Sequence, residues 1–154
     1  MRAVLLDSSV WISYFSKQDV HVNSAVKIVE NLIRKKMKII IPCIVLVETL
    51  NVLKRKYRFG IDELNGVLHY LLEEIQSQVV WLKTQFLKKG MTAIILKTDL
   101  KSSDLYILAV GKCFSVHGFY SFDHQLIFAY KLLYEKKGNY TGKNKKNKSK
   151  KTYA

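Results

Sequence analysis

Four acidic residues occupy positions where an acid calls for an explanation. Asp7 directly follows the apolar run 3–6, and Glu48 has no basic residue within one helical turn to pair with it. An ionised carboxylate on an apolar surface is costly unless a cation or strong donors compensate. If Asp104 and Asp123 join the other two, the four like charges would repel one another, and a divalent cation would relieve that repulsion. Hard oxygen ligands favour Mg²⁺ or Mn²⁺ over zinc, so the sequence indicates a site for such an ion.

Three of these acids also have a purely structural interpretation. Asp7 could cap the helix that follows it, with Ser8 and Ser9 as competing caps, and Asp123 could cap the last helix. Asp104 could be a first-turn acid that the helix dipole favours. Because capping and metal binding are compatible, these interpretations leave the metal-site hypothesis open.

Other site chemistries lack their sequence patterns. The four histidines show no zinc-ligand spacing, and the chain has neither a glycine-rich phosphate loop nor a G-x-S-x-G elbow. Cys43 and Cys113 are far apart and each lies in an apolar run, so we expect two buried free thiols. The acids are therefore the best candidates for chemistry.

The elements that must position these acids follow from the hydrophobic pattern. Strands are expected at 3–6, 38–41, 78–82 and 118–121, where short apolar runs occur. Helices are expected from near residue 10, at about 22–36, 42–57 (stopping near Gly60), 62–75 (capped by Asp62), 84–96, 102–114 (capped by Ser102 or Ser103) and 123–135.

Alternating strands and helices predict an α/β fold, with a central parallel sheet of about four to five strands covered by helices on both faces. In such sheets, ligands bind beyond the carboxyl ends of the strands. Asp7 and Asp123 both follow a predicted strand, so the fold and the chemistry point to the same edge.

Charge divides the chain into two parts. The net charge is +14, and eight of the 26 Lys and Arg residues lie in 136–154, which contains no acid. We expect a globular domain at 1–135 and a disordered lysine-rich tail at 136–154, suited to contact with nucleic acid. A merely solubilising tail is the alternative.

The longest apolar stretches are shorter than the roughly 20 residues of a membrane helix, and no secretory signal is evident, so a soluble cytoplasmic protein is expected.

Short motifs around the four acids resemble those of PIN-domain ribonucleases, and especially the small VapC-like toxins of prokaryotic toxin–antitoxin pairs. The matching segments are 5–10 (LLDSSV), 41–42 (IP), 47–50 (VETL), 103–109 (SDLYILA) and 120–123 (YSFD). The resemblance covers about residues 1–130. It implies a single PIN-like domain in which Asp7, Glu48, Asp104 and Asp123 bind Mg²⁺ or Mn²⁺ and hydrolyse RNA phosphodiester bonds.

The resemblance also implies supporting residues and partners. Ser121 and Ser8 stand where the family has Ser or Thr, and would support the site from behind the metal ligands. Ser9 falls where many members have Asn, which leaves its role open. An RNA substrate, a VapB-like antitoxin and a homodimer built on the apolar stripes of the first and middle helices are the expected partners. A housekeeping PIN nuclease of RNA processing and a non-catalytic RNA-binding module are the alternatives.

Overall fold

A four-stranded parallel sheet organises the part of the chain that the structure describes, namely residues 2–75, 77–80, 91, 94 and 99–134 of a computed structural model. The strands are β1 (Ala3–Leu6), β2 (Lys38–Pro42), β3 (Ser77–Val80) and β4 (Gly118–Tyr120). Their order in the sheet is β3-β2-β1-β4, and every pairing is parallel.

Helices connect the strands and cover the sheet. They are α1 (Ser8–Phe15), α2 (Val22–Arg34), α3 (Cys43–Tyr57), α4 (Ile61–His69), which continues into a π-helical turn (Tyr70–Glu74), α5 (Ser102–Cys113) and α6 (His124–Tyr134). Met91 and Ile94 are also helical, but the rest of the helix predicted at 84–96 lies outside the described residues.

Strand β1 shows why the sheet is buried on both faces. Consecutive residues of a strand point to opposite faces. Val4, Leu5 and Leu6 are nevertheless all buried, with exposed fractions of 2%, 0% and 0%. A continuous apolar run is the pattern expected when helices cover both faces of a parallel sheet. The predicted α/β fold is confirmed.

The register of the strands sets the position of the acids. Leu6 at the end of β1 pairs with Tyr120 at the end of β4, and the Asp7 N–H donates to the Tyr120 carbonyl oxygen at 2.9 Å. Residues that follow these two strands therefore meet at one edge of the sheet. Helix α3 begins directly after β2, so Glu48 lies in its second turn near that same edge.

The end of α3 was predicted correctly, but the start of α4 was not. Helix α3 ends at Tyr57, and Arg58 follows it with a left-handed φ of 63°. Gly60 is the cap position of α4, and its N–H donates to Glu63 Oε2 at 2.7 Å. Asp62 therefore lies inside the first turn of α4 and is not its cap. Glu63, three residues after the cap position, already accepts a hydrogen bond from the Gly60 N–H.

The serine cap predicted for α5 was also wrong. This helix begins at Ser102, the cap position is Lys101, and no side chain of the described residues makes a capping bond there.

The predicted apolar stripes were correct only in part, since Ile33 and Leu72 are 39% and 50% exposed. Of the two cysteines, both free, Cys43 is buried and Cys113 is only partly buried. The tail predicted at 136–154 lies outside the described residues, and within them no helix is long and apolar enough to cross a membrane.

Candidate active site

Asp7 is a buried carboxylate at the junction of β1 and α1. Its side chain is at the cap position of α1, where it accepts a hydrogen bond from the Ser9 N–H at 3.4 Å. The residue is only 5% exposed. The Ser8 hydroxyl lies 3.5 Å from Asp7 Oδ1, at the limit of a hydrogen bond. The capping interpretation is therefore correct, and it leaves other acceptor positions on the carboxylate.

Two serine hydroxyls hold the other side of this carboxylate. Ser9 Oγ and Ser121 Oγ donate to Asp7 Oδ2 at 2.8 and 2.9 Å. Each hydroxyl also accepts a backbone N–H from the segment after β4: Phe122 N–H to Ser9 Oγ and Asp123 N–H to Ser121 Oγ, both at 2.9 Å. Because each hydroxyl has a single proton, this donor–acceptor arrangement fixes its orientation.

Ser9 is the residue whose role the sequence left open. It makes the shorter of the two serine bonds to Asp7, and it joins α1 to the segment after β4. Its position two residues after a capping aspartate was the available signal, since short polar side chains at helix starts bond to nearby polar groups.

Asp123 caps α6, as predicted. Its Oδ1 accepts from the Gln125 and Leu126 N–H groups at 2.8 and 3.2 Å. The residue itself is exposed. Both capping bonds use the same carboxylate oxygen, which leaves acceptor capacity on Oδ2 for another partner.

Asp104, in the first turn of α5, connects the four acids electrostatically. Burial raises its pKa, and so do the nearby charges of Asp123, Asp7 and Glu48, in that order, whereas Lys101 lowers it. Coulomb interactions weaken with distance, so the three acids that raise the pKa of Asp104 lie close to it. We call Asp7, Glu48, Asp104 and Asp123 the acidic cluster. Its members come from four different elements that meet at the carboxyl edge of the sheet.

The acidic cluster has the donor chemistry of a hard-cation site. Its side chains offer only carboxylate oxygens, which suit Mg²⁺ or Mn²⁺ better than zinc. Burial, and then the charges of three neighbouring acids, raise the pKa of Asp104. A cation bound among these carboxylates would relieve the repulsion between them. In the described part of the chain, no three acidic, histidine or cysteine side chains already have ligand spacing.

Comparisons with known proteins agree with the observed α/β fold. The crystal structure of VapC20 from Mycobacterium tuberculosis, described as a sarcin–ricin loop cleaving toxin, superposes with a TM-score of 0.64 at 18% identity, covering 82% of this chain and 94% of that one. At that identity the similarity shows the fold alone. No curated protein matches the sequence. The PIN domain family model matches residues 4–128, a span that contains the whole acidic cluster, and the chain therefore belongs to the PIN domain family.

Proposed function

We propose that this protein is a metal-dependent endoribonuclease that hydrolyses RNA phosphodiester bonds at the acidic cluster. The observation that carries the proposal is the convergence of four acids from different elements at the carboxyl edge of the sheet, where the charges of Asp123, Asp7 and Glu48 add to burial in raising the pKa of Asp104. Maintaining such repulsion costs stability, and perturbed carboxylates of this kind are concentrated at functional sites. Membership of the PIN domain family and the similarity to an RNA-cleaving toxin support the same activity.

A divalent cation, Mg²⁺ or Mn²⁺, would be held by the four carboxylates and would supply a Lewis acid that activates water and offsets phosphate charge. The chain's own groups prepare the site. Ser9 and Ser121 fix the orientation of Asp7, and the two capping N–H bonds fix that of Asp123. This preorganisation reduces the rearrangement needed when substrate arrives.

Lys101 is a candidate for contact with the substrate. It lies close enough to Asp104 to lower that residue's pKa, against the larger effects of burial and the neighbouring acids. An exposed lysine beside an anionic site can hold a phosphate of the RNA backbone without reading its sequence.

The biological setting we propose is that of a toxin in a VapBC-like pair. The supporting observation is the fold similarity to VapC20 over 94% of that chain. A VapB-like antitoxin would then bind over the acidic cluster, and a homodimer would be the assembled form. In a bacterial host, expression of the wild-type protein should arrest growth, whereas Asp104→Asn should not. Normal growth with an active enzyme would instead favour a housekeeping PIN nuclease.

The direct test of the activity is cleavage of a labelled RNA by pure protein in Mg²⁺, in Mn²⁺ and in EDTA. We expect cleavage with either metal, and its loss both in EDTA and in Asp104→Asn. Equal cleavage by wild type and variant would exclude this site. RNA binding without cleavage under any metal, unaffected by Asp7→Asn, would support the alternative of a non-catalytic RNA-binding module.

A further inference from the structure

An aromatic pair lies beside the acidic cluster. The imidazole of His21 stacks on the ring of Phe122, with centroids 4.5 Å apart and planes inclined by 19°. Phe122 stands between Ser121, which bonds to Asp7, and Asp123 of the acidic cluster. Its N–H donates to Ser9 Oγ, so the pair is attached to the same serine that orients Asp7.

The turn that carries His21 is held firmly by Asp19. The His21 N–H donates to Asp19 Oδ1 at 2.8 Å. The same carboxylate accepts from Ser13 Oγ of α1 at 2.8 Å and from the Tyr57 hydroxyl of α3 at 2.6 Å. Two helices therefore fix the turn from behind. Because only the backbone of His21 takes part, the anchor leaves its imidazole free to present a face to another group.

Exposure shows which ring of the pair is accessible. His21 is exposed and Phe122 is partly buried. Phe122 therefore supports one face of the imidazole from inside, and the opposite face is open to solvent. A supported, exposed aromatic ring on a rigid turn has the form of a stacking platform, whose binding does not require prior ordering of the loop.

Resting on the proposed nuclease function, we propose that His21, backed by Phe122, is a stacking platform for one nucleobase of the RNA next to the cleaved phosphodiester. The carboxylates of the acidic cluster carry the same charge as the RNA backbone, so contacts that do not depend on attraction of the phosphates add to what the cation and Lys101 would supply. Stacking supplies such a contact, since single-stranded RNA is commonly bound through bases splayed onto aromatic rings. It also tolerates any base, because every base has a π face.

The test uses full-length protein carrying Asp104→Asn, so that binding is measured without cleavage, and an RNA in which successive positions carry 2-aminopurine. His21→Ala should weaken RNA binding by about 5-fold to 150-fold, which corresponds to the loss of one stacked base. It should also remove the fluorescence quenching at one position. His21→Phe, which keeps a stacking ring, should restore both. His117→Ala is the matched control. This exposed histidine precedes β4 at the amino ends of the strands, whereas the acidic cluster lies at their carboxyl ends.

In the cleavage-competent protein, His21→Ala should raise KM for RNA by a similar factor and leave kcat nearly unchanged, with an unaltered melting temperature. Unchanged RNA affinity and quenching in His21→Ala would overturn the platform, even where the wild-type protein cleaves RNA. A smaller salt dependence of binding in both His21→Ala and His21→Phe would also overturn it, since that result marks a contact with phosphate. Failure of the nuclease proposal is separate, because it appears as wild-type protein that does not cleave.

Discussion

The Ser121 hydroxyl donates a hydrogen bond to Asp7 Oδ2 at 2.9 Å, although the two residues are 114 positions apart in the sequence. This bond ties the end of β4 to the end of β1 through a side chain, next to the backbone bond between the same strands. The same hydroxyl accepts the Asp123 N–H. One serine therefore sets the relative positions of two members of the acidic cluster.

Replacing Ser121 by alanine should lower RNA cleavage by about 10- to 100-fold, the usual effect of removing a group that orients a metal ligand. The loss should appear in kcat and in the metal concentration needed for half-maximal activity. Ser24→Ala, at an exposed position of α2, is the matched control and should cleave like the wild type. Full activity in Ser121→Ala would show that this bond does not organise the site.

Ser9→Ala should destabilise the protein by about 1–2 kcal/mol, because it leaves both an Asp7 lone pair and the Phe122 N–H without their partner. Urea unfolding measured by circular dichroism checks this value. The Ser24→Ala control should change the free energy of unfolding by less than about 0.5 kcal/mol, as is usual at exposed positions. A Ser9→Ala protein as stable as wild type would mean that water replaces the hydroxyl at no cost.

Asp104→Asn should stabilise the metal-free protein. Burial and three acids raise the pKa of Asp104 above its ordinary value of 3.8. The folded protein therefore holds this proton more tightly than the unfolded chain, and stability falls as the pH rises from 3.8 through the raised pKa. At neutral pH, removing the charge should raise the melting temperature by about 2–4 °C if it relieves ~1 kcal/mol.

Differential scanning fluorimetry in EDTA and in Mn²⁺ tests whether repulsion at Asp104 destabilises the metal-free protein. Mn²⁺ should raise the melting temperature of the wild type, because an ion that binds the folded state stabilises it, and should have little effect on Asp104→Asn. Asp62→Asn, an exposed acid in the first turn of α4, should respond to Mn²⁺ like the wild type. A metal-free Asp104→Asn protein that melts below the wild type would contradict the proposed repulsion.

Asp19→Asn should destabilise the protein in a pH-dependent manner. Burial opposes ionisation of Asp19, but hydrogen bonds from Tyr57, the His21 N–H and Ser13, with the charge of Lys56, hold its pKa below 3.8. This contribution to stability is therefore complete above that pH and is lost as the pH falls through the lowered pKa. Urea unfolding should show a loss of about 1–2 kcal/mol at pH 7 in the variant. The difference should shrink below pH 3.8, and a difference that stays constant down to pH 2 would contradict the assigned ionisation.

The sequence was informative where one physical effect dominates. The short apolar run Ala3–Leu6 favoured a strand buried on both faces, which places Asp7 at the carboxyl edge of the sheet. Glu48 stood out because no basic residue of its own helix is placed to pair with it. These local signals were sufficient to predict the sheet and to nominate the acidic cluster.

The sequence was less informative where several local arrangements have similar free energies. Helix α4 could start in two ways, either at Gly60 with its N–H bonded to Glu63 or with Asp62 as the cap. Composition alone did not decide between them. The bond of Ser9 to the segment after β4 could not be predicted, because it depends on which strands are neighbours in the sheet. The stacking of His21 on Phe122 depends on the same long-range arrangement.

The location of the active site is best tested by the single-turnover rate of RNA cleavage in four variants, each of which replaces one member of the acidic cluster by its amide. Asp62→Asn and Glu73→Gln, two exposed acids of α4 and the π-helical turn, are the matched controls. We predict that each cluster variant loses metal-dependent cleavage while both controls keep the wild-type rate. Wild-type rates in the cluster variants, or equal losses in the controls, would show that the acidic cluster is not the site of cleavage.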